Sequence, residues 1–242
     1  MSGGELWRER WQRGRIGFHE GKPNAKLVTY FDRLGLAAGA RVFVPLCGKA
    51  EDLAWLAARG LEVVGVELVR EAAEAFFAEH DLVPRAEDVG PFRRLSAGGV
   101  SIYVGDVFEL GRLGLSPFDA LYDRAALVAL PRAERERYVP IALDALSPGS
   151  KSLVITFTTE PPAEGGPPYH VDRAEVWAAF GPRASIELLE DDPTIHVGEE
   201  SRKRGIEKMH ELAFLITRAL PDGASQARRV PWLMCRHASG RR

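Results

Sequence analysis

The 242-residue chain lacks most of the features that mark specialised classes of protein. Its two cysteines, Cys47 and Cys235, are too few for a disulfide framework or a cysteine-based metal cluster. No run of about 18 apolar residues is present, so the sequence predicts no membrane span. The formal net charge of -2 gives no global basic field that would attract nucleic acid. Residues 1–15 are charged and lack the apolar centre of a signal peptide, and together these absences predict a cytoplasmic globular protein.

The chain has an ordinary globular balance of 45% hydrophobic and 27% charged residues, and its length fits one large domain better than two. Short apolar runs predict strands, and apolar residues at helical spacing predict helices between them. The predicted strands are 42–44, 63–66, 100–104, 120–122, 153–159, 185–189 and 212–217, and the predicted helices are 53–57, 70–80, 132–146 and 172–180. Because strand and helix alternate, we predict an α/β fold with right-handed crossovers and a parallel sheet.

The first part of the chain differs from the rest because it contains no strand pattern. Trp7 and Trp11 are four residues apart and therefore share one face of a predicted helix. Such a pair is either part of the core or part of a lid whose ring faces attract a cation, such as a sulfonium group. We predict three segments, which are an N-terminal helical arm at 1–35, the main domain at 36–220, and a polar, arginine-rich tail at 221–242.

Two of the predicted strands end in loops that lie at the same edge of the sheet. The first strand is followed by the turn at 45–49, and the second ends at Glu67, nineteen residues after Gly48. In open α/β sheets, ligands bind beyond the carboxyl ends of the strands, where the strand order reverses. An acid at this place and spacing predicts a ribose ligand, because a carboxylate accepts hydrogen bonds from both hydroxyls of a diol.

The glycine content of the first loop limits the kind of nucleotide. A dinucleotide site needs G-x-G-x-x-G so that the backbone approaches a pyrophosphate, and a P-loop needs G-x-x-x-x-G-K-[ST]. The sequence contains neither motif, and Gly48 is the one glycine of its loop. An adenosine ligand without phosphates needs less glycine, and S-adenosylmethionine is such a ligand. The alternative is an ordinary strand-to-helix turn with a surface glutamate at position 67.

Two further charged residues follow predicted strands. Asp106 comes after the strand at 100–104, where it either accepts a hydrogen bond from an adenine amino group or caps the next turn. Arg124 comes after the strand at 120–122, where it either lies beside the cofactor or pairs with a neighbouring aspartate on the surface. The residues themselves leave both choices open.

Four motifs along the chain resemble the thiopurine S-methyltransferase family. They are W-x3-W-x5-GFH at 7–19, VFVPLCGKAEDLAWLAARGLEVVGVE at 42–67, YDRAALVALP at 122–131 and GPPYHV at 166–171. The resemblance is collinear from residue 7 to residue 218, and the combination is more specific than any one motif. It implies a Rossmann-like α/β fold with a seven-stranded, mainly parallel sheet, helices on both faces and a helical arm over the cofactor. It also implies methyl transfer from S-adenosylmethionine, with S-adenosylhomocysteine as the product.

The resemblance assigns site residues by position. With Gly48 of the loop included, the residues that would contact the cofactor are Trp7, Trp11, Leu46, Gly48, Glu67, Asp106, Val107 and Arg124. Phe18 would lie between cofactor and acceptor, and Tyr169 would line the acceptor side. The family's second substrate-side arginine would be Arg202, Arg204 or neither, because 199–205 aligns poorly. At 106–107 the chain has Asp-Val in place of a Ser-Ile pair, so the adenine contact is expected to differ.

Other reactive residue types are better explained without catalysis. Cys47 has no paired base near it in the sequence and is interpreted as a small packed residue. His19 and Glu20 are interpreted as local hydrogen-bonding residues of the arm, and the arginines of the tail as solvated side chains. We therefore predict no bound metal and no nucleic-acid partner.

The lack of a recognisable catalytic triad favours an acceptor that arrives already ionised. We predict a monomeric enzyme that methylates a small thiol, a thiopurine-like heterocycle, or a selenium or tellurium species, with Arg124 as the electrostatic guide. One alternative is a halide or thiocyanate methyltransferase, which the GFH and PLCGK motifs disfavour. The other is a cofactor-binding protein without turnover, against which the presence of Glu67, Arg124 and both arm tryptophans argues.

Overall fold

The computed structural model describes residues 3–14, 21–124, 126–163 and 165–221. Within these ranges, nine strands form one sheet. They are β1 (Arg41–Pro45), β2 (Glu62–Glu67), β3 (Arg85–Val89), β4 (Phe92–Ala97), β5 (Val100–Val104), β6 (Phe118–Asp123), β7 (Leu146–Glu160), β8 (Ala184–Ile195) and β9 (Lys208–Arg218). Their order across the sheet is β3-β4-β5-β2-β1-β6-β7-β9-β8.

Helices cover both faces of this sheet. They are α1 (Gly3–Gln12), α2 (Ala25–Leu34), α3 (Glu51–Ala57), α4 (Arg70–Glu79), α5 (Ala126–Ala129), α6 (Arg132–Asp144), α7 (Arg173–Phe180) and α8 (Glu199–Lys203), and Val107–Leu113 forms a 3-10 helix. Val42 and Val44 of β1 face the core cluster that includes residues of α2, α3 and α4, whereas Phe43 faces the cluster that includes residues of α5, α6 and α7. None of the described helices is both long enough and apolar enough to cross a membrane.

The centre of the sheet is parallel, as the sequence predicts. The strands β5, β2, β1, β6 and β7 pair in parallel, and the remaining pairings are antiparallel. The predicted α/β class with helices on both faces is therefore confirmed. The expected count of seven strands needs correction, because the hairpin β3–β4 adds two strands beside β5. Charged residues such as Arg85, Glu87 and Asp88 in this hairpin hide the apolar alternation by which a strand is recognised.

The strand order reverses at β1, which has β2 on one side and β6 on the other. The helices that follow β1 and β6 lie on opposite faces of the sheet, so a crevice opens between the carboxyl ends of these two strands. The loop after β1 begins with Leu46, whose φ of 48° is rare for a residue with a side chain. Such a backbone conformation persists only where the surroundings hold it, and it occurs often at functional sites.

Candidate functional site

The loop after β1 is held by backbone hydrogen bonds to its neighbours. The Cys47 N–H donates to the Val66 carbonyl at 3.2 Å, and the Ala50 N–H donates to the Cys47 carbonyl at 3.1 Å. Cys47 is 5% exposed, and burial raises the pKa of its thiol well above the usual value, with the nearby Glu67 carboxylate adding to the effect. A thiol that stays protonated is a poor nucleophile, which agrees with the interpretation of Cys47 as a packed residue.

Glu67 at the end of β2 joins the two loops. Its Oε2 accepts a hydrogen bond from the Gly48 N–H at 2.8 Å, and its Oε1 accepts one from the Val69 N–H at 2.8 Å. The side chain is buried, and this desolvation raises its pKa against the backbone hydrogen bonds that lower it. A carboxylate has four acceptor directions, so these hydrogen bonds, with the Leu68 N–H that also lowers the pKa, leave acceptor capacity for a ligand hydroxyl. The sequence-predicted pair of Gly48 and Glu67 is thus in direct contact.

Helix α1 lies against the residue that follows Glu67. A Cβ atom built on Gly4 would be 3.0 Å from Leu68 Cδ2, so the start of α1 packs on the carboxyl edge of β2. Trp7 and Trp11 lie on this helix and are both half-buried, and the Arg10 guanidinium carbon is 5.6 Å from the centre of the Trp7 ring. The predictions for Phe18, His19 and Glu20 lie outside the described residues.

Asp106 and Val107 follow β5, which is the neighbour of β2 on its far side from β1. The Asp106 Oδ1 accepts a hydrogen bond from the Phe108 N–H at 3.0 Å and so caps the 3-10 helix. The aspartate is nevertheless exposed, whereas Val107 is buried in the core. The capping interpretation of Asp106 is therefore confirmed, and its contact with adenine stays a prediction.

Arg124 follows β6 and lines a small cavity together with the loop after β1. The cavity has a volume of about 30 Å³, room for about two water molecules, and its wall also includes Asp52 and Tyr122. The Tyr122 hydroxyl donates to Asp52 Oδ2 at 3.1 Å, and the Asn24 N–H donates to Asp52 Oδ1 at 2.7 Å. Asn24 in turn caps α2 and donates through its Nδ2 to Glu211 Oε1 at 3.4 Å. This buried network joins the base of the N-terminal arm to the strand that carries Arg124.

Sequence reasoning missed a buried pair directly behind Arg124. Asp123 and Tyr138 are both fully buried, and the Tyr138 hydroxyl donates to Asp123 Oδ2 at 2.7 Å. The other oxygen of Asp123 accepts from the N–H groups of Ala126 and Leu127 at 2.9 and 3.4 Å. Burial raises the pKa of Asp123 to about 6, although all three hydrogen bonds favour its charged form. The available signal was an aspartate directly after the apolar run that predicts this strand.

The loop with Tyr169 reaches the same region from β7. The Tyr169 N–H donates to the Val128 carbonyl of α5 at 2.7 Å, which brings the loop close to the turn that contains Arg124. The Tyr169 ring packs over Gly166, and its centre is 5.8 Å from the Arg135 guanidinium carbon. These ring contacts are with its own loop and with α6, so the role of Tyr169 in acceptor binding stays a prediction.

The two candidate arginines near α8 differ in their contacts. Arg202 lies on α8 with an exposed side chain. Arg204, just after the helix, donates from its guanidinium to the Gly165 carbonyl, in the loop that also carries Tyr169. Of the two, Arg204 therefore has the contact with the acceptor-side loop. The role of Arg202 or Arg204 in binding the acceptor stays a prediction.

A larger cavity lies away from these residues. It has a volume of about 280 Å³ and occupies the groove between α6 and α7, where Val139, Pro140 and Phe180 form its apolar wall. Size alone would favour it as a ligand site, but it contains neither the Glu67 carboxylate nor the loop after β1. No cluster of metal-ligating side chains occurs within the described ranges. The edge of the sheet at Gly48, Glu67 and Arg124 is therefore the candidate site.

Comparison with known proteins identifies the family of this chain. The family model described as thiopurine S-methyltransferase matches residues 3–219. The chain belongs to the thiopurine S-methyltransferase family. A thiopurine S-methyltransferase from Xanthobacter autotrophicus is 46% identical over 190 residues, which cover 78% of this chain and 89% of that protein. Another, from Pseudomonas aeruginosa, is 41% identical over 214 residues, which cover 88% of this chain and 98% of that protein.

Solved structures confirm the fold of this family member. A 1,6-didemethyltoxoflavin N1-methyltransferase from Burkholderia thailandensis has a TM-score of 0.61 at 16% identity and covers 90% of this chain and 87% of its own. That structure contains 1,6-didemethyltoxoflavin and S-adenosylhomocysteine. A methyltransferase from Methanosarcina mazei has a TM-score of 0.60 at 15% identity and covers 82% of this chain and 99% of its own.

Proposed function

We propose that this thiopurine S-methyltransferase family member transfers the methyl group of S-adenosylmethionine to a small, soft nucleophile. The reaction class follows from the family to which the chain belongs. The observation that carries the assignment of the site is the buried Glu67 carboxylate, which bonds to the Gly48 N–H at the point where the strand order reverses. The acceptor, the site residues and the lid described below are parts of the proposal.

The residues at the sheet edge fit an adenosine cofactor without phosphates. The remaining acceptor capacity of the Glu67 carboxylate suits a ribose hydroxyl, and the backbone at Leu46 and Gly48 has positive φ values that bring the chain close to a ligand. Asp106 is exposed just after β5 and is the candidate residue to bind the adenine of the cofactor, and the neighbouring Val107, which is buried, is the second candidate contact. One glycine in the loop suits a ligand that carries no pyrophosphate.

The N-terminal arm is proposed as the lid of this site. Its contact with Leu68 places α1 next to Glu67, and the network from Asn24 to Tyr122 fixes the other end of the arm. Trp7 and Trp11 would exclude water and present ring faces to the sulfonium cation. Phe18 would separate cofactor from acceptor.

S-adenosylmethionine supplies an electrophilic methyl group when it is bound. The task of the protein is then to place the acceptor in line with that group and to exclude water. An acceptor that arrives as a thiolate or selenolate has already lost its proton to solvent, so no protein base is needed. Arg124, which lines the cavity beside the loop after β1, offers its charge to such an anion. Tyr169 and Arg202 or Arg204 would complete the acceptor side, and we propose that the enzyme acts as a cytoplasmic monomer.

The two alternatives make different predictions for an acceptor screen. Transfer of a labelled methyl group is measured with an aromatic thiol, a heterocyclic thiol, selenite, tellurite and iodide. We expect the highest kcat/KM with a thiol or with a selenium or tellurium species, and a loss of transfer in the Arg124→Ala variant. The control is Asp119→Ala, which removes an exposed charge from the other end of β6.

Each contrary result has a defined meaning. Preference for iodide over every thiol would establish the halide methyltransferase instead. Tight binding of S-adenosylhomocysteine without transfer to any acceptor would identify a binding protein that has lost turnover.

A further inference from the structure

The turn between β6 and α5 carries Arg124, and a single side chain holds both of its ends. Asp123 is the last residue of β6, and its Oδ1 accepts the N–H groups of Ala126 and Leu127, the first two residues of α5. Its Oδ2 accepts the hydroxyl of Tyr138, which comes from the middle of α6. Strand, turn helix and long helix are thus joined at one carboxylate.

We propose that Asp123 and Tyr138 are positioning residues for Arg124, because they fix the turn from which Arg124 lines the cavity beside the loop after β1. This inference rests on the proposed placement of cofactor and acceptor next to Arg124. Neither residue touches substrate in this proposal, since both are fully buried on the α6 side of the sheet.

The described contact between α5 and the loop with Tyr169 does not replace this carboxylate. Helix α5 has four residues and depends on its first N–H groups being satisfied, because they have no partner within the helix. Without Asp123 the groups at Ala126 and Leu127 would be unpaired in a buried place. The Tyr169 N–H binds the opposite end of the helix, at the Val128 carbonyl.

The charge state of Asp123 makes the positioning sensitive to pH. Within the described ranges, the groups that face the carboxylate are the Tyr138 hydroxyl from α6 and the two N–H groups of α5, and no charged side chain there contributes to its pKa. Because burial raises that pKa to about 6, Asp123 gains a proton near that pH. Hydrogen bonds to a charged acceptor are about twice as strong as those to a neutral one, so the turn is held less tightly below about pH 6.

The test measures binding and turnover between pH 5 and pH 8. Affinity for S-adenosylhomocysteine is measured by calorimetry, and kcat/KM is measured with an aromatic thiol that is ionised over the whole range. We expect wild-type affinity and kcat/KM to fall about fivefold below pH 6. Asp123→Asn keeps the shape without the charge, so it should show the low-pH values at every pH. Tyr138→Phe loses a donor that stabilises the carboxylate, so its fall should begin at higher pH.

The control is Asp119→Asn, which makes the same chemical change at the exposed start of β6 and should retain the wild-type pH profile. If Asp123→Asn does not fold, the profile of Tyr138→Phe decides the question. A fall near pH 6 that persists in Asp123→Asn, or a wild-type profile without such a fall, overturns the inference. Normal pH-dependent binding without methyl transfer to any acceptor would refute the proposed function and leave the inference standing.

Discussion

Replacement of Glu67 by alanine removes the carboxylate that we assign to the ribose of the cofactor. Hydrogen bonds to a charged group contribute about 1.5–3 kcal/mol each, but water can enter the space left by the side chain and satisfy part of the loss. We therefore expect the binding free energy of S-adenosylhomocysteine to weaken by about 1–3 kcal/mol, which corresponds to an increase in Kd of about 5- to 150-fold.

Replacement by glutamine gives a sharper test of the same geometry. Both oxygens of Glu67 already accept backbone N–H groups, one from Gly48 and one from Val69. Whichever way the amide is turned, its NH₂ group must face one of these donors, so one backbone N–H loses its partner. We expect Glu67→Gln to bind no better than Glu67→Ala and to lower the free energy of unfolding by about 1–2 kcal/mol.

The assay is titration calorimetry with S-adenosylhomocysteine, accompanied by urea unfolding to separate binding from stability. Glu62→Gln is the matched control, because Glu62 begins the same strand and its side chain is 67% exposed. We expect the control to bind as the wild type does. Values of Kd for both Glu67 variants within about twofold of the wild type would remove Glu67 from the cofactor site.

Four more predictions concern the arm, the loop after β1, the buried aspartate and the ionisation of the acceptor. Deletion of residues 1–20 should leave the sheet folded by circular dichroism while it weakens cofactor binding and abolishes turnover; full activity would refute the lid. Gly65→Ala should weaken cofactor binding, because its Cβ would lie 2.6 Å from Cys47 Sγ and displace the loop after β1. The double variant with Cys47→Ala should bind the cofactor again by calorimetry. Failure of this rescue would contradict the explanation by a clash with Cys47. The raised pKa of Asp123 lets the folded state bind a proton that the unfolded chain does not bind between pH 7 and pH 5. As the pH falls from 7 to 5, the free energy of unfolding of the wild type should therefore rise by about 1 kcal/mol relative to that of Asp123→Asn, measured by urea unfolding. Equal pH dependence in the two proteins would contradict the pKa. Finally, rates with two thiols of different acidity, both ionising well above the Asp123 pKa of about 6, should rise at correspondingly different pH, whereas a common midpoint in that range would indicate a protein base.

The parts of the fold that were predictable from the sequence are those where burial leaves a continuous apolar pattern. The strands at 63–66 and 100–104 are found as predicted, within one residue at each end. Strand β7 begins at Leu146 instead of 153. Pro148 and Gly149 indicate a turn there, and the strand passes this point with a φ of 81° at Gly149 and a shift of register against β6. The hairpin at 85–97 has no such apolar pattern, because charged residues occupy much of both of its strands.

The candidate site was predictable only where sequence spacing determines contact. Gly48 and Glu67 belong to consecutive strands of one parallel unit, so their meeting follows from the topology. The contacts of Asp123 with Tyr138, and of Asp52 with Tyr122, depend on which helix packs beside which strand. No local pattern encodes that choice, and a buried carboxylate cannot be distinguished in sequence from a solvated one.

The two outermost strands of the sheet have a consequence for how copies of the protein meet. An uncovered strand edge offers unpaired N–H and carbonyl groups to another chain, and natural proteins oppose this with charge, proline and irregular pairing. Strand β3 carries Arg85, Glu87 and Asp88, and β8 contains Pro193 and two shifts of register against β9. Pro193 has no N–H to donate, and the irregular pairing distorts the edge that a second copy would need, so crowded solutions of this enzyme should resist growth into continuous intermolecular sheets.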